Sequence, residues 1–180
     1  LARARSPSDR GCPPSASEGA VSAIRSPDAL LRSLFIDGCR QSPTLHQLAG
    51  AIGRTDGVVY MTIGACPFRM LRGCLLHAIE DTGNARYLWI RLSANADVRT
   101  TIGLMAHELQ HALEVLTRAT IRSPRDLLTF YQSTESQAYS ANPAAGPFRT
   151  YETRAAIDVA AAVLTELENA TGPLAADDRD

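Results

Sequence analysis

Apolar and polar positions recur along this chain with two different periods, and each regular stretch predicts an element. Leu30, Leu31, Leu34 and Phe35 fall on one face of a helix over 29–39. The preceding Ser26-Pro27-Asp28 reads as its start, with Ser26 as cap and Pro27 at the first helical position. Ser42-Pro43 opens a second helix with Leu45, Leu48, Ala49 and Ile52 inward and Gly53 at its end. Val58 to Ile63 is β-rich and predicts a strand, while 70–79 fits a strand or a short helix. Gly83-Asn84 marks a turn before the clearest strand, Arg86 to Leu92, where Leu88, Ile90 and Leu92 alternate with Tyr87, Trp89 and Arg91.

From Thr100 to Leu116 the period returns to that of a helix, with Ile102, Met105, Leu109, Ala112, Leu113 and Leu116 as the buried stripe. Ser123-Pro124 starts another helix through about Ser133. Asn142-Pro143 and Gly146-Pro147 make 134–149 a loop, and a last helix is expected from about Thr150 to Asn169. Helices, a few strands, then helices argue for an α+β fold with a small sheet. At 180 residues the chain is read as one domain over 26–170. Residues 1–25, rich in Ser, Pro, Arg and Gly, are expected to form a flexible tail, and 171–180 a disordered one.

Composition narrows the function classes. Hydrophobic residues make up 45% and charged ones 21%, an ordinary globular balance, and the net charge of −1 carries no electrostatic footprint for nucleic acid. No stretch approaches the roughly 18 apolar residues of a membrane span. Every basic side chain is Arg, which reads as genomic bias. The chain begins at Leu1, as a processed product does, and its four cysteines lack CxxC spacing. Disulfides in an exported protein are the favoured reading, Cys66 with Cys74 as the nearest pair and Cys12 with Cys39 pinning the tail. Four free cytosolic thiols are the alternative.

The chemistry concentrates in His107-Glu108-Leu109-Gln110-His111. Two histidines four apart on a helix lie about 40° apart around the axis and roughly 6 Å along it, so both imidazoles reach one metal ion. Glu108 stands at the edge of that face, where a carboxylate touches a metal-bound water without being a ligand. A catalytic zinc needs one more protein ligand. His46, His77, Glu114, Glu135, Glu152 and Asp158 are the candidates. Glu114 and Thr117 stand where metzincins place Gly and His, which excludes that class. Glu114 lies about 10 Å along the axis from His107, which suits support of a histidine or a solvated charge better than ligation. Glu152 is preferred, because it heads an apolar stripe of Ala155, Ala156, Val159 and Val163, where an unpaired carboxylate is costly. The competing account is a helix-dipole contact in a first turn. Glu135 is the reserve, and Asp158 faces away.

Ala106 to Val115 and Tyr151-Glu152-Thr153 resemble a family of small exported bacterial HExxH proteins, zincins of the gluzincin kind. The similarity runs from about residue 28 to 168. It implies a minimal zincin-like domain: a small β-sheet packed with the HExxH helix and a C-terminal Glu-bearing helix. It also implies Zn2+ held by His107, His111 and Glu152, with Glu108 as general base. Larger gluzincins often carry an Asp four residues after the ligand Glu; here that position is Ala156, so Glu114 or a backbone carbonyl must orient a histidine.

The expected function is hydrolysis of a peptide bond in a peptide or protein substrate, in a secreted or periplasmic setting. Tyr131, Tyr139, Tyr151 and Arg149 are candidates to steady the oxyanion. The strand 86–92 is expected to wall the cleft and offer an edge to an extended peptide. A non-catalytic binding or regulatory module, or a hydrolase of another amide, are the competing classes.

Overall fold

The computed structural model describes residues 12, 22–67, 71–93, 95–133, 137–138 and 151–171. The fold is mixed α+β. The expectations for Glu135, Tyr139, Arg149, the Pro-rich stretch 142–147, the tail segments 1–11 and 13–21, and 172–180 lie outside those residues.

The chain enters through a short strand, β1 (Ile24–Arg25), then α1 (Ala29–Gln41) and α2 (Pro43–Gly53). Next come β2 (Gly57–Ile63) and the hairpin of β3 (Gly73–Asp81) and β4 (Arg86–Leu92). The motif helix α3 (Val98–Leu116) follows, then α4 (Pro124–Ser133). A two-residue strand pair, β5 (Gln137–Ala138) with β6 (Tyr151–Glu152), precedes α5 (Arg154–Thr171). The main sheet has the order β1-β2-β4-β3, with β1 and β4 parallel to β2 and β3 antiparallel to β4. Ile24 and Arg25 therefore belong to the sheet rather than to a tail, paired with Val59 and Tyr60.

Alternation along β4 sends Leu88, Ile90 and Leu92 into the core, where none is exposed, and leaves Tyr87 and Trp89 stacking on Tyr60 on the opposite face. α3 lies across the inner face of the sheet and packs against α1, α2 and α5. Met105, Leu109, Ala112 and Val115 are completely buried there; Val115 takes the place expected for Leu113, which is only partly covered. Truncating Leu109 to Ala costs about 2–5 kcal/mol, a large share of a domain's usual margin. Packing therefore fixes the motif helix irrespective of any ligand. Gly103 lets α5 come close: a Cβ at that position would stand 2.9 Å from Leu164 Cδ2.

Two expectations about helix starts are corrected. α1 begins at Ala29, capped by Asp28, whose carboxylate accepts from the amides of Leu30 and Leu31 at 2.9 and 3.1 Å. A charged acceptor satisfies two of the free amides and meets the positive helix end, so it takes the cap from Ser26. Ser26 Oγ instead accepts from Asp28 N at 3.1 Å. Leu30, expected on the inward face, points outward and is 58% exposed. α5 begins at Arg154, not near Thr150, because Thr153 Oγ1 accepts from Ala156 N at 3.2 Å and caps it. Ala155 is accordingly exposed, and the buried line runs through Ala156, Val163 and Leu167.

Arg86 anchors the far end of α3. Its side chain, 2% exposed, donates to the carbonyls of Val115, Leu116, Arg118 and Ile121 and to Asp56. The last carbonyls of a helix lack partners within it, and a guanidinium supplies both the donors and the favourable charge.

Candidate metal centre

His107 and His111 project from one face of α3 with ring centroids 4.9 Å apart, set edge to face. Glu152 meets them from β6: its Oε1 lies 3.0 Å from His107 Nε2 and 3.3 Å from His111 Nε2. The three donor atoms all fall within 4.8 Å of one another. Glu152 therefore comes from a short strand before α5, and not from the helix expected to bear it. Its pairing with Gln137 and the cap at Thr153 hold the backbone on either side of it.

The geometry fits a metal. Ligands at about 2.0–2.1 Å from a tetrahedral zinc stand about 3.3 Å apart, close to the two Glu152–imidazole separations. Two imidazoles and one carboxylate are also the donor set of open catalytic zinc sites. His111 is buried and His107 and Glu152 are half-buried, so the cluster is partly in contact with solvent.

The supporting contacts are specific. His111 Nδ1 faces Glu114 Oε2 at 3.3 Å, which turns its Nε2 toward Glu152. Glu114 Oε1 in turn accepts from Thr153 Oγ1 at 2.7 Å. Burial alone disfavours charge on His111, but hydrogen bonds to Glu114 and Glu152 outweigh it and raise its pKa to about 9. Burial raises Glu152, yet hydrogen bonds to both histidines prevail and bring it down to about 2. Glu114 is also held below the usual range: its bonds to His111 and Thr153 overcome burial.

Glu108, 5% exposed, points toward the start of β3. Its Oε2 accepts from Leu75 N at 2.7 Å. Gly73 makes room for the other oxygen, since a Cβ there would stand 3.0 Å from Oε1. Burial pushes the Glu108 carboxyl up, although both histidines pull the other way. A buried carboxyl of raised proton affinity that feels the charge of both imidazoles is a group able to accept a proton at neutral pH.

Three other described candidates, His46, His77 and Asp158, do not join this group. His46 is exposed on α2, and Asp158 is exposed and paired with Arg154 at 2.9 Å. His77 stands on β3, stacked with Tyr131 at 6.3 Å between ring centroids. Tyr131 is buried, its ring edge-on to His111 at 6.0 Å and stacked with Tyr151 at 5.5 Å. The expected peptide edge is corrected as well. β4 lies inside the sheet between β2 and β3, so among the described residues the sheet edge on that side belongs to β3.

Sequence reading missed Thr153, Gly73 and the Leu75 amide. Thr153 carried a signal, a hydroxyl residue ahead of an apolar-periodic helix. The other two act through backbone and carried none.

No protein-family model matches this chain, and no curated protein or solved structure matches it.

Proposed function

We propose that this chain is a zinc-dependent hydrolase, a zincin-like metallopeptidase whose ligands are His107, His111 and Glu152. The observation that carries the proposal is the convergence of Glu152 on both motif histidines, with the buried Glu108 carboxylate next to them in sequence and held by Leu75. Zinc, when bound, supplies a water of pKa near 7 and polarises the carbonyl under attack. Glu108 takes the proton of the attacking water and hands it to the departing amine. Glu114 keeps the His111 ring in one orientation throughout. The outer edge of β3, unpaired among the described residues, offers an extended peptide backbone partners other than the Leu75 amide, which Glu108 occupies.

Two disulfides, Cys12–Cys39 and Cys66–Cys74, support an oxidising compartment, secreted or periplasmic. Among the described residues no helix is long and apolar enough to cross a membrane.

The test is zinc content and turnover of a peptide library by the parental protein and Glu108→Gln. Equal zinc in both and at least about a hundredfold loss of cleavage in the variant is the expected result. Zinc without cleavage in either protein points to a non-catalytic binding module.

A further inference from the structure

The start of β3, which holds the Glu108 carboxylate, is fastened by a disulfide. Gly73 and Leu75 touch Glu108, and Cys74 between them is bonded to Cys66. Both cysteines are buried. Among the described residues β3 is the edge of the sheet, paired on one side with β4. Its register against β4 shifts between Leu75 and Ile79. The regular hairpin pairing of Ile79, Glu80 and Asp81 therefore does not by itself fix where 73–75 lies. That segment needs anchors of its own. It pairs with Leu92, Arg91 and Ile90, and Arg72 O accepts from Ser93 N at 2.7 Å. The covalent anchor is Cys66, in a segment itself tied to β4 through Gly64 N to Leu92 O at 3.0 Å and Arg91 Nη1 to Ala65 O at 3.3 Å.

We propose that the Cys66–Cys74 disulfide is a positioning element for the general base: it fixes the start of β3 so that the Leu75 amide and the bare Cα of Gly73 set the Glu108 carboxylate. The inference rests on the hydrolase reading for the purpose of that carboxylate, but not for its geometry. A purely stabilising role fits the bridge less well. It closes a separation of only 8 residues, against 27 for Cys12–Cys39, and a short loop restrains the unfolded chain less.

The experiment uses the full chain loaded with zinc or cobalt(II) and compares the parent with Cys66→Ser/Cys74→Ser and with Cys12→Ser/Cys39→Ser as control. Three quantities are read: hydrogen exchange of the Leu75 amide, the visible absorption bands of the cobalt protein, and zinc affinity by chelator competition. In the Cys66/Cys74 variant the Leu75 amide exchanges at least about tenfold faster. Its cobalt bands move toward those of Glu108→Ala, and zinc affinity stays within about threefold of the parent. The control leaves Leu75 exchange and the bands in place. Unchanged Leu75 protection and unchanged bands on loss of Cys66–Cys74 overturn the proposal.

Should that variant not fold, Gly73→Ala in the bridged protein tests the same contact. Its Cβ must displace the carboxyl, so the cobalt bands move; bands identical to the parent count against the inference. Failure of the hydrolase reading is seen separately, as absence of Glu108-dependent cleavage in the parent, and leaves the exchange and cobalt measurements intact.

Discussion

Thr153 donates its hydroxyl to Glu114 Oε1 at 2.7 Å, and so ties the residue beside the third candidate ligand to the helix that carries both histidines. The same hydroxyl oxygen accepts from Ala156 N and caps α5. Glu114 spends its other carboxylate oxygen on His111 Nδ1. The path His111–Glu114–Thr153–Glu152 is thus a continuous connection between two separate elements, and the contact of Glu152 Oε1 with His111 Nε2 at 3.3 Å closes it into a ring.

Breaking that connection acts on metal affinity rather than on the ligand set. Thr153→Val keeps the shape of the side chain and removes its hydroxyl, and Glu114→Gln removes the charge facing His111. Each variant is expected to weaken zinc binding by about 10–100-fold, as loss of supporting hydrogen bonds does at other zinc sites. Chelator competition measures this directly. Parental affinity in both variants means that the connection does not orient His111.

Removing Glu152 has a different expected outcome. With Glu152→Ala only two imidazoles remain, and purified protein should lose stoichiometric zinc while retaining its fold, because α3 is fixed by its buried stripe. Metal analysis beside a circular dichroism spectrum separates the two effects. Full zinc in the variant removes Glu152 from the ligand set and returns Glu135 to consideration.

The motif helix and β4 were legible from pattern alone because their information is local. Leu88, Ile90 and Leu92 alternate without interruption, and His107 and His111 share a helix face wherever that helix packs. Glu152 does lie against both histidines, but the periodicity argument that points to it holds only in part. The apolar stripe that singled it out belongs to a helix that starts two residues later, and Ala155 is exposed. The physical premise that a partly buried carboxylate needs a positive partner holds. The hold on Glu108 was out of reach: a backbone amide donates it, and which strand lies at the sheet edge follows from pairing across distant segments. Arg86 reads as an ordinary strand residue in sequence, and only the end of α3 arriving above it gives it a role.

Acid and alkali act on the metal-free protein from opposite sides. His111 has its pKa raised to about 9 from 6.5, so its contribution to stability is complete below 6.5 and disappears as pH rises through about 9. Glu152 is lowered to about 2 from 4.5, so its contribution is complete above 4.5 and disappears as pH falls through about 2. Both act together from 4.5 to 6.5, where thermal unfolding of the metal-free form, with respect to these two groups, should occur at the highest temperature. Zinc must displace the His111 proton, so its affinity should climb about tenfold per pH unit until about pH 9. A zinc affinity independent of pH between about 6 and 9 contradicts the assignment of His111 as a protonated residue that becomes a ligand.

Arg86 supplies the sharpest test of what holds the motif helix in place. Its guanidinium, buried at the first residue of β4, is the common partner of four carbonyls around the end of α3 and of Asp56, whose pKa its hydrogen bonds lower. Arg86→Ala removes a donor from all four carbonyls, of which Val115 O and Arg118 O keep the amides of Arg118 and Ile121, and it leaves Asp56 with the distant Arg122 at 3.9 Å as its ion-pair partner among the described residues. The expected loss is about 3–5 kcal/mol of unfolding free energy, the scale found when one partner of a buried charge cluster is removed. Arg86→Lys should recover only a part, since one ammonium has three donors and cannot span the same set of acceptors. Denaturant titration of the parent and the two variants gives the ranking. Equal midpoints for the parent and Arg86→Ala would falsify the anchoring role, and an Arg86→Lys variant as stable as the parent would reduce it to charge alone.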